Sequence, residues 1–355
     1  MRRSVFLVLA FAAMICLQAS TALAFHDEGV AYCAGCHTMH NTNGNGAAID
    51  PTGNGFPYLL KYANATDLCL SCHATSRGAV WSPSPTAPAA EQGPGNFAFL
   101  VDDNNNDGHN GAWNPIPGWR AGHTVISPSR GVVVDGLNPV SPGGNYPASS
   151  LSCTSCHDPH GNANFRLLYG AGDHAEAGNF NFTQPAPDVI GLPLSGAGSA
   201  ETDANHNAYL GGMSGWCSNC HGNFHNNDTQ YRHPSGVGMS STIQNIYNTY
   251  AGTMNQTGGD AATAYIADVA FEDPDMTITS TNGPDANSKV SCITCHRAHA
   301  TSGQNAGRWD FNITVYEEDG VESGSYVMPQ TYNSPNQRSL CNKCHNKDKN
   351  DHNPF

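Results

Sequence analysis

The chain has 355 residues, a formal net charge of −14 and only 12% charged residues, with 38 Gly and 22 Pro. The acidic balance argues against nucleic-acid binding and against docking on anionic lipid surfaces. The glycine, proline and asparagine content alone would suggest loops, not a domain with a large aliphatic core.

The N-terminus reads as a secretion signal. Arg2 and Arg3 precede an apolar run from Val5 to Leu17, and Ala22-Leu23-Ala24 offers a small-residue cleavage site. Residues 1–24 are therefore expected to be removed, Cys16 with them, and residues 25–355 to form one domain. The apolar run is short for a membrane span, and no later segment is long and apolar enough to supply a transmembrane anchor. Passage through the periplasm to the cell surface or medium is the expected route.

Six copies of Cys-x-x-Cys-His then follow, and they use every remaining cysteine. They are Cys33, Cys36 and His37; Cys69, Cys72 and His73; Cys153, Cys156 and His157; Cys217, Cys220 and His221; Cys292, Cys295 and His296; and Cys341, Cys344 and His345. A zinc site or a redox disulfide does not need a His after every pair, whereas covalent haem attachment does. Both thiols add across the haem vinyl groups, and the adjacent His binds the iron. Six covalently bound haem c groups are thus expected.

The expected fold is a multihaem cytochrome c. It is mostly coil and turns with a few short α-helices, around a core of six stacked haems. Each motif should form a short helical turn. Between motifs, Trp81 to Gly95 reads as an extended loop. Ser241 to Met254 and Asp260 to Phe271 read as helices whose apolar faces pack on haem edges. The first cysteines are 36, 84, 64, 75 and 49 residues apart, so no fixed structural repeat is expected.

Six irons need six further ligands or else have open positions. Of 17 His, eleven lie outside the motifs. His40, His160 and His299 stand three residues after a motif His and His225 four after, on the same side of a helical turn. His26, His123 and His233 lie upstream of the first, third and fifth motifs. These seven compete for six positions, and spacing does not single out the spare. His109, His174, His206 and His352 sit in polar loops and read as solvated. No methionine shows motif-linked spacing. Iron with two His ligands is coordinatively full, which argues against an enzyme such as a nitrite reductase. Asp103, Asn105 and Asp107 form the first half of a calcium-loop pattern, a weak candidate because Asn114 replaces the closing Glu.

The stretches FHDEGVAYCAGCHTMHN, LSCTSCHDPHG, GMSGWCSNCHGNFHN, RHPSG, CITCHRAHATSG and SLCNKCHNKD, in this order, resemble the outer-surface hexahaem cytochromes of the OmcS type, which polymerise into haem filaments in metal-respiring bacteria. The resemblance spans the mature chain, with shorter stretches between motifs than in the best-known members. It implies a conductive filament in which all irons are bis-His and stacked haem pairs alternate with T-shaped contacts. It also implies that His40 ligates the haem of Cys292, Cys295 and His296 in an adjacent copy. The implied partners are the chain itself, other outer-membrane or periplasmic cytochromes, and extracellular metal oxides or electrodes. The alternative is a monomeric periplasmic electron shuttle with the same haems.

Overall fold

The computed structural model describes residues 32–42, 45–74, 80–81, 93–101, 118–192, 201–225, 233, 235–301, 303–309, 311, 314–315, 332 and 336–345. Regular structure is sparse. Seven short helices occur among these residues: α1 (Cys33–Cys36), α2 (Ala65–His73), α3 (Gly118–Ala121), α4 (Met213–Cys217), α5 (Gly222–His225), α6 (Ser241–Thr249) and α7 (Cys292–Cys295). Three two-stranded antiparallel ribbons join them. They pair β1 (His174–Ala175) with β2 (Phe180–Asn181), β3 (Asp188–Ile190) with β4 (Ala208–Gly211), and β5 (Val237–Gly238) with β6 (Lys289–Val290). No helix among the described residues is long and apolar enough to cross a membrane. The proposed signal segment, His26, His109, His352, residues 82–92 of the extended loop and the Asp103–Asp107 pattern all lie outside the described residues.

Each motif does form a tight turn. Motifs one, two and five are α-helical, and motifs three and six are 3-10 turns over Cys153–Ser155 and Leu340–Lys343. In motif four, α4 ends on Cys217 and a turn carries the chain to Cys220. The turns start where side chains satisfy free amides. Asn64 caps α2 by accepting from the Asp67 amide, and Ser291 and Thr294 form a capping box on α7.

The two larger apolar clusters among the described residues lie beside the motifs. One gathers Leu70, Trp81, Phe97, Phe99 and Val125 around α2. The other gathers Tyr247, Tyr265, Phe271, Met239, Ile293 and Leu340 near motifs five and six. Each fully buried aromatic or aliphatic side chain contributes about 1.5–3 kcal/mol.

The two expected helices differ from the structure. The first, α6, starts at a Ser240 cap but stops at Thr249, because Gly252 adopts φ +103° and turns the chain back. Its face meets protein: the Tyr247 hydroxyl donates to the Val269 carbonyl at 2.9 Å, and its ring meets Phe271 edge-on. The second is not a helix. Residues 260–271 form two 3-10 turns, Ala261–Thr263 and Ala267–Val269, with extended backbone between. Its amides are used elsewhere: Tyr265 donates to Thr281, Ala267 to the Asp203 carboxylate, and Ile266 to the Tyr247 hydroxyl. Exposure is split along the segment, with residues 260–263 exposed and Tyr265, Ile266, Val269, Ala270 and Phe271 buried, instead of alternating between two faces of a helix.

Asp67 ties α2 to a distant loop. Its carboxylate accepts from Ser127 at 2.5 Å, Ser129 at 2.6 Å and Asn64 at 2.6 Å. Burial raises its pKa, but these three hydrogen bonds outweigh burial and hold it below the usual carboxylate range. A carboxylate depressed in the folded state stabilises it above the unfolded pKa, and that stability is lost as pH falls through the folded value. Asp67→Asn should cost about 1–3 kcal/mol at pH 7 and flatten the acid limb below about pH 4. Acid unfolding followed by circular dichroism would show this. An unchanged acid limb would refute it.

Candidate haem sites

The chemistry at the motif cysteines argues for haem attachment. All twelve are free of disulfides. Burial pushes the Cys156, Cys295 and Cys344 thiols up to about 12 and Cys220 to about 11. A metal thiolate or a redox CxxC needs the opposite shift, which Cys153 shows beside Cys69. Among the described residues no cluster of three or more His, Cys, Asp or Glu could hold a metal ion.

The histidines are arranged as facing pairs. The His37 and His160 ring centres are 6.4 Å apart, and so are those of His157 and His299. His123 and His221 lie 5.9 Å apart, and His233 and His345 lie 6.0 Å apart. Two imidazoles on opposite sides of one metal, each bound at about 2.0–2.1 Å, hold their ring centres about 6.3 Å apart. Each of the four pairs joins a motif His to a candidate from outside that motif.

The ring nitrogens are prepared for metal binding. Nδ1 donates to a backbone carbonyl in His37 (Tyr58, 2.9 Å), His157 (Arg166, 2.7 Å), His221 (Pro142, 2.7 Å), His296 (Asn305, 2.8 Å) and His123 (Ala298, 2.5 Å). This fixes the tautomer that leaves the Nε2 lone pair for iron. Burial keeps the rings neutral. It lowers His123 and His296, and it takes His221 to about 4 and His299 to about 3. The His299 ring stacks on Phe97 at 4.3 Å, and its buried Nδ1 has no hydrogen-bond partner among the described residues.

Close backbone approach sets His123 and His299. A Cβ on Gly122 would come within 2.1 Å of the His299 carbonyl, and one on Gly95, at φ +96°, within 2.2 Å of the Ala300 carbonyl. Only glycine fits at either point. The His123 amide then donates to the His299 carbonyl at 2.8 Å, and the His299 amide to Pro94 at 2.6 Å.

Sequence spacing missed a repeat. Motifs one, three and five are each gripped by a downstream turn. The residues whose carbonyls hold the motif His are Tyr58, Arg166 and Asn305, with φ of 57°, 51° and 59°. The next residues, Leu59, Leu167 and Ala306, are also left-handed. Their carbonyls accept from Thr38, Asp158 and Arg297, just after each motif. Lys61, Tyr169 and Arg308 complete each grip by donating to Cys36, Cys156 and Cys295. Left-handed backbone costs non-glycine residues about 1–2 kcal/mol each, so the threefold recurrence marks a constrained device. The unequal motif spacings hid it because the grip closes 21 residues after His37 but 9 after His157 and His296. The shared Leu-Leu of YLLK and RLLY was its one sequence signal.

The repeats meet at their cysteines. α2 packs on the turn of motif three, and α4 packs on α7. There Cys69 lies beside Cys153, and Cys217 beside Cys292. Of the six leading cysteines, only Cys33 and Cys341 are exposed.

The remaining candidates fall differently. His40 is exposed. The backbone of His225 closes α5, while its side chain lies outside the described part. His174 is exposed and bonds Asn181 at 2.8 Å. His206, expected to be solvated, is fully buried against Tyr265. Both its ring nitrogens face carbonyls, of Asn207 at 2.9 Å and Ser280 at 2.8 Å, so it is a packing residue.

The comparisons agree with this geometry. A family model described as a doubled CXXCH motif matches residues 146–179. The chain is 31% identical to the C-type cytochrome OmcS of Geobacter sulfurreducens, over 95% of this chain and 97% of that protein. Two solved structures, a cryo-EM structure of the OmcS nanowires and an outer membrane cytochrome S filament, both from Geobacter sulfurreducens, match with a TM-score of 0.75 at 29% identity, covering 91% of this chain and 100% of theirs. The chain therefore belongs to the OmcS-type c-type cytochromes, and its Cys-x-x-Cys-His motifs carry covalently attached haem.

Proposed function

We propose that the protein is an extracellular electron conduit of three repeated units, polymerised so that each copy completes its neighbour. When bound, haem supplies reversible one-electron chemistry at its iron, and haems in contact form a path. The residues provide attachment, ligation and spacing.

The four histidine pairs carry this reading. Each unit has an upstream His, an odd motif with a tail His, and an even motif. The upstream His pairs with its own unit's even motif: His123 with His221, and His233 with His345. The tail His pairs with the preceding unit's odd motif: His160 with His37, and His299 with His157. Extended by the same rule, His26 serves His73. His40, at the head of the series, has no preceding unit in its own chain, and His296 has no following one. His40 of another copy then serves His296. Six positions are filled, and His225 is the spare.

The cysteine contacts support the same joint. Motif two meets motif three and motif four meets motif five, so motif six would meet motif one of the next copy. Cys33 and Cys341, exposed in the single chain, are the two sulfurs such a joint would cover. With every iron held by two His there is no open position for a substrate, and we assign no catalytic activity. Secretion to the cell surface, exchange with other cytochromes and discharge to metal oxides or electrodes follow from the same reading.

Electron microscopy of the purified holoprotein tests polymerisation. Unbranched filaments are expected, with a repeat of six haems per subunit by haem-to-protein ratio. Monomers alone at high concentration would support the soluble shuttle instead.

A further inference from the structure

The two residues between the motif cysteines are neutral in five motifs: Ala34 and Gly35, Leu70 and Ser71, Thr154 and Ser155, Ser218 and Asn219, Ile293 and Thr294. The last motif alone carries a charge there, Lys343. A lysine in such a turn normally extends into water. Lys343 is instead 2% exposed. Its Nζ donates to the Tyr250 carbonyl at 3.1 Å and lies 4.5 Å above the Tyr247 ring and 5.7 Å from the Tyr332 ring. Among the described residues its Nζ meets no carboxylate at ion-pair distance. Arg297, by comparison, is paired with Asp268 at 3.8 Å. Burying a cation is costly, and two aromatic faces and one carbonyl offset only part of the cost. Lys343 directly precedes Cys344, an attachment residue of the last haem, and stands two residues before His345.

We propose that Lys343 sets the reduction potential of the last haem, raising it above its neighbours by a fixed positive charge held out of solvent. The proposal rests on haem attachment at Cys341 and Cys344, and does not require polymerisation. One electron leaves the motif-five iron, which is oxidised, and reaches the motif-six iron, which is reduced, with no proton transferred. A nearby cation favours the reduced form because reduction removes one positive charge beside it. At about 10 Å and an effective dielectric constant of about 20, one charge changes that equilibrium by about tenfold. Each subunit would then hold a preferred electron site at its last haem.

The test is a spectroelectrochemical titration of the six-haem holoprotein and of Lys343→Met and Lys343→Gln, with intact mass used to count haems. In either neutral variant one of the six steps should fall by about tenfold in its equilibrium, which is 59 mV for one electron. Lys343→Arg should retain the original step. Six haems with all steps unmoved would overturn the proposal, as would an equal fall in all six. Intact mass showing the last motif without haem in the unaltered protein would remove the haem reading there, and the proposal with it. Should the neutral variants not assemble, His233→Met marks the last haem by displacing its step in the unaltered titration. That step should be among the three highest, and a place among the three lowest overturns the proposal.

Discussion

His40→Ala should yield a protein with all six haems that does not polymerise. His40 is not part of an attachment motif, so covalent loading is untouched. On the proposed pairing its own chain gives it no iron, because the tail-His series runs from His299 to His157 and from His160 to His37 and would continue into another copy. The loss of a coordinate bond of about 3 kcal/mol or more weakens association by about a hundredfold or more. The unaltered protein, diluted to monomers, should show one iron in six that is high-spin and binds carbon monoxide, at motif five. Polymerisation should remove that signal. In His40→Ala it should persist at every concentration. Filaments of normal length from His40→Ala would show that the joint is held otherwise.

His160→Ala and His299→Ala should each open one iron within the subunit, whereas His225→Ala should open none. Spacing places all four on the same side of a helical turn, yet the structure gives two of them a facing motif His. His160 faces His37, and His299 faces His157, both at the separation that one iron requires. The observed pairs assign His225 no iron under the repeat rule. Carbon monoxide difference spectra should therefore report about one-sixth of the haem in each of the first two variants and nothing new in the third. His299→Ala should also be the less stable of the two, because its ring packs on buried Phe97. A new carbon-monoxide-binding haem in His225→Ala would break the repeat rule and return His26 or His40 to the role of spare.

Much of the haem chemistry was legible from the motifs because covalent attachment is a local demand. It fixes two thiols and a His within five residues, and no fold is needed to see it. The short helical turns followed for the same reason. The pairing of histidines was not legible, because each pair joins residues far apart in sequence: 123 residues for His37 and His160, and 142 for His157 and His299. Nor was the threefold grip, since its defining feature is left-handed backbone at Tyr58, Arg166 and Asn305, three residue types with no common propensity. Residues 260–271 show the same limit, where good helix formers gave way to long-range hydrogen bonds donated by their amides to Thr281, Asp203 and Tyr247.

The sequence by itself determined the cofactor, the number of attachment sites and the surplus of ligands, all of which are counts of reactive side chains at short range. Tertiary structure alone decided which ligand faces which motif and that His206 is packing. It also decided that Lys343 is buried against Tyr247, Tyr250 and Tyr332. These depend on close approach of distant backbone, as at Gly95 and Gly122 against the His299–Ala300 tail, and on burial, which sets the charge state of every group it encloses.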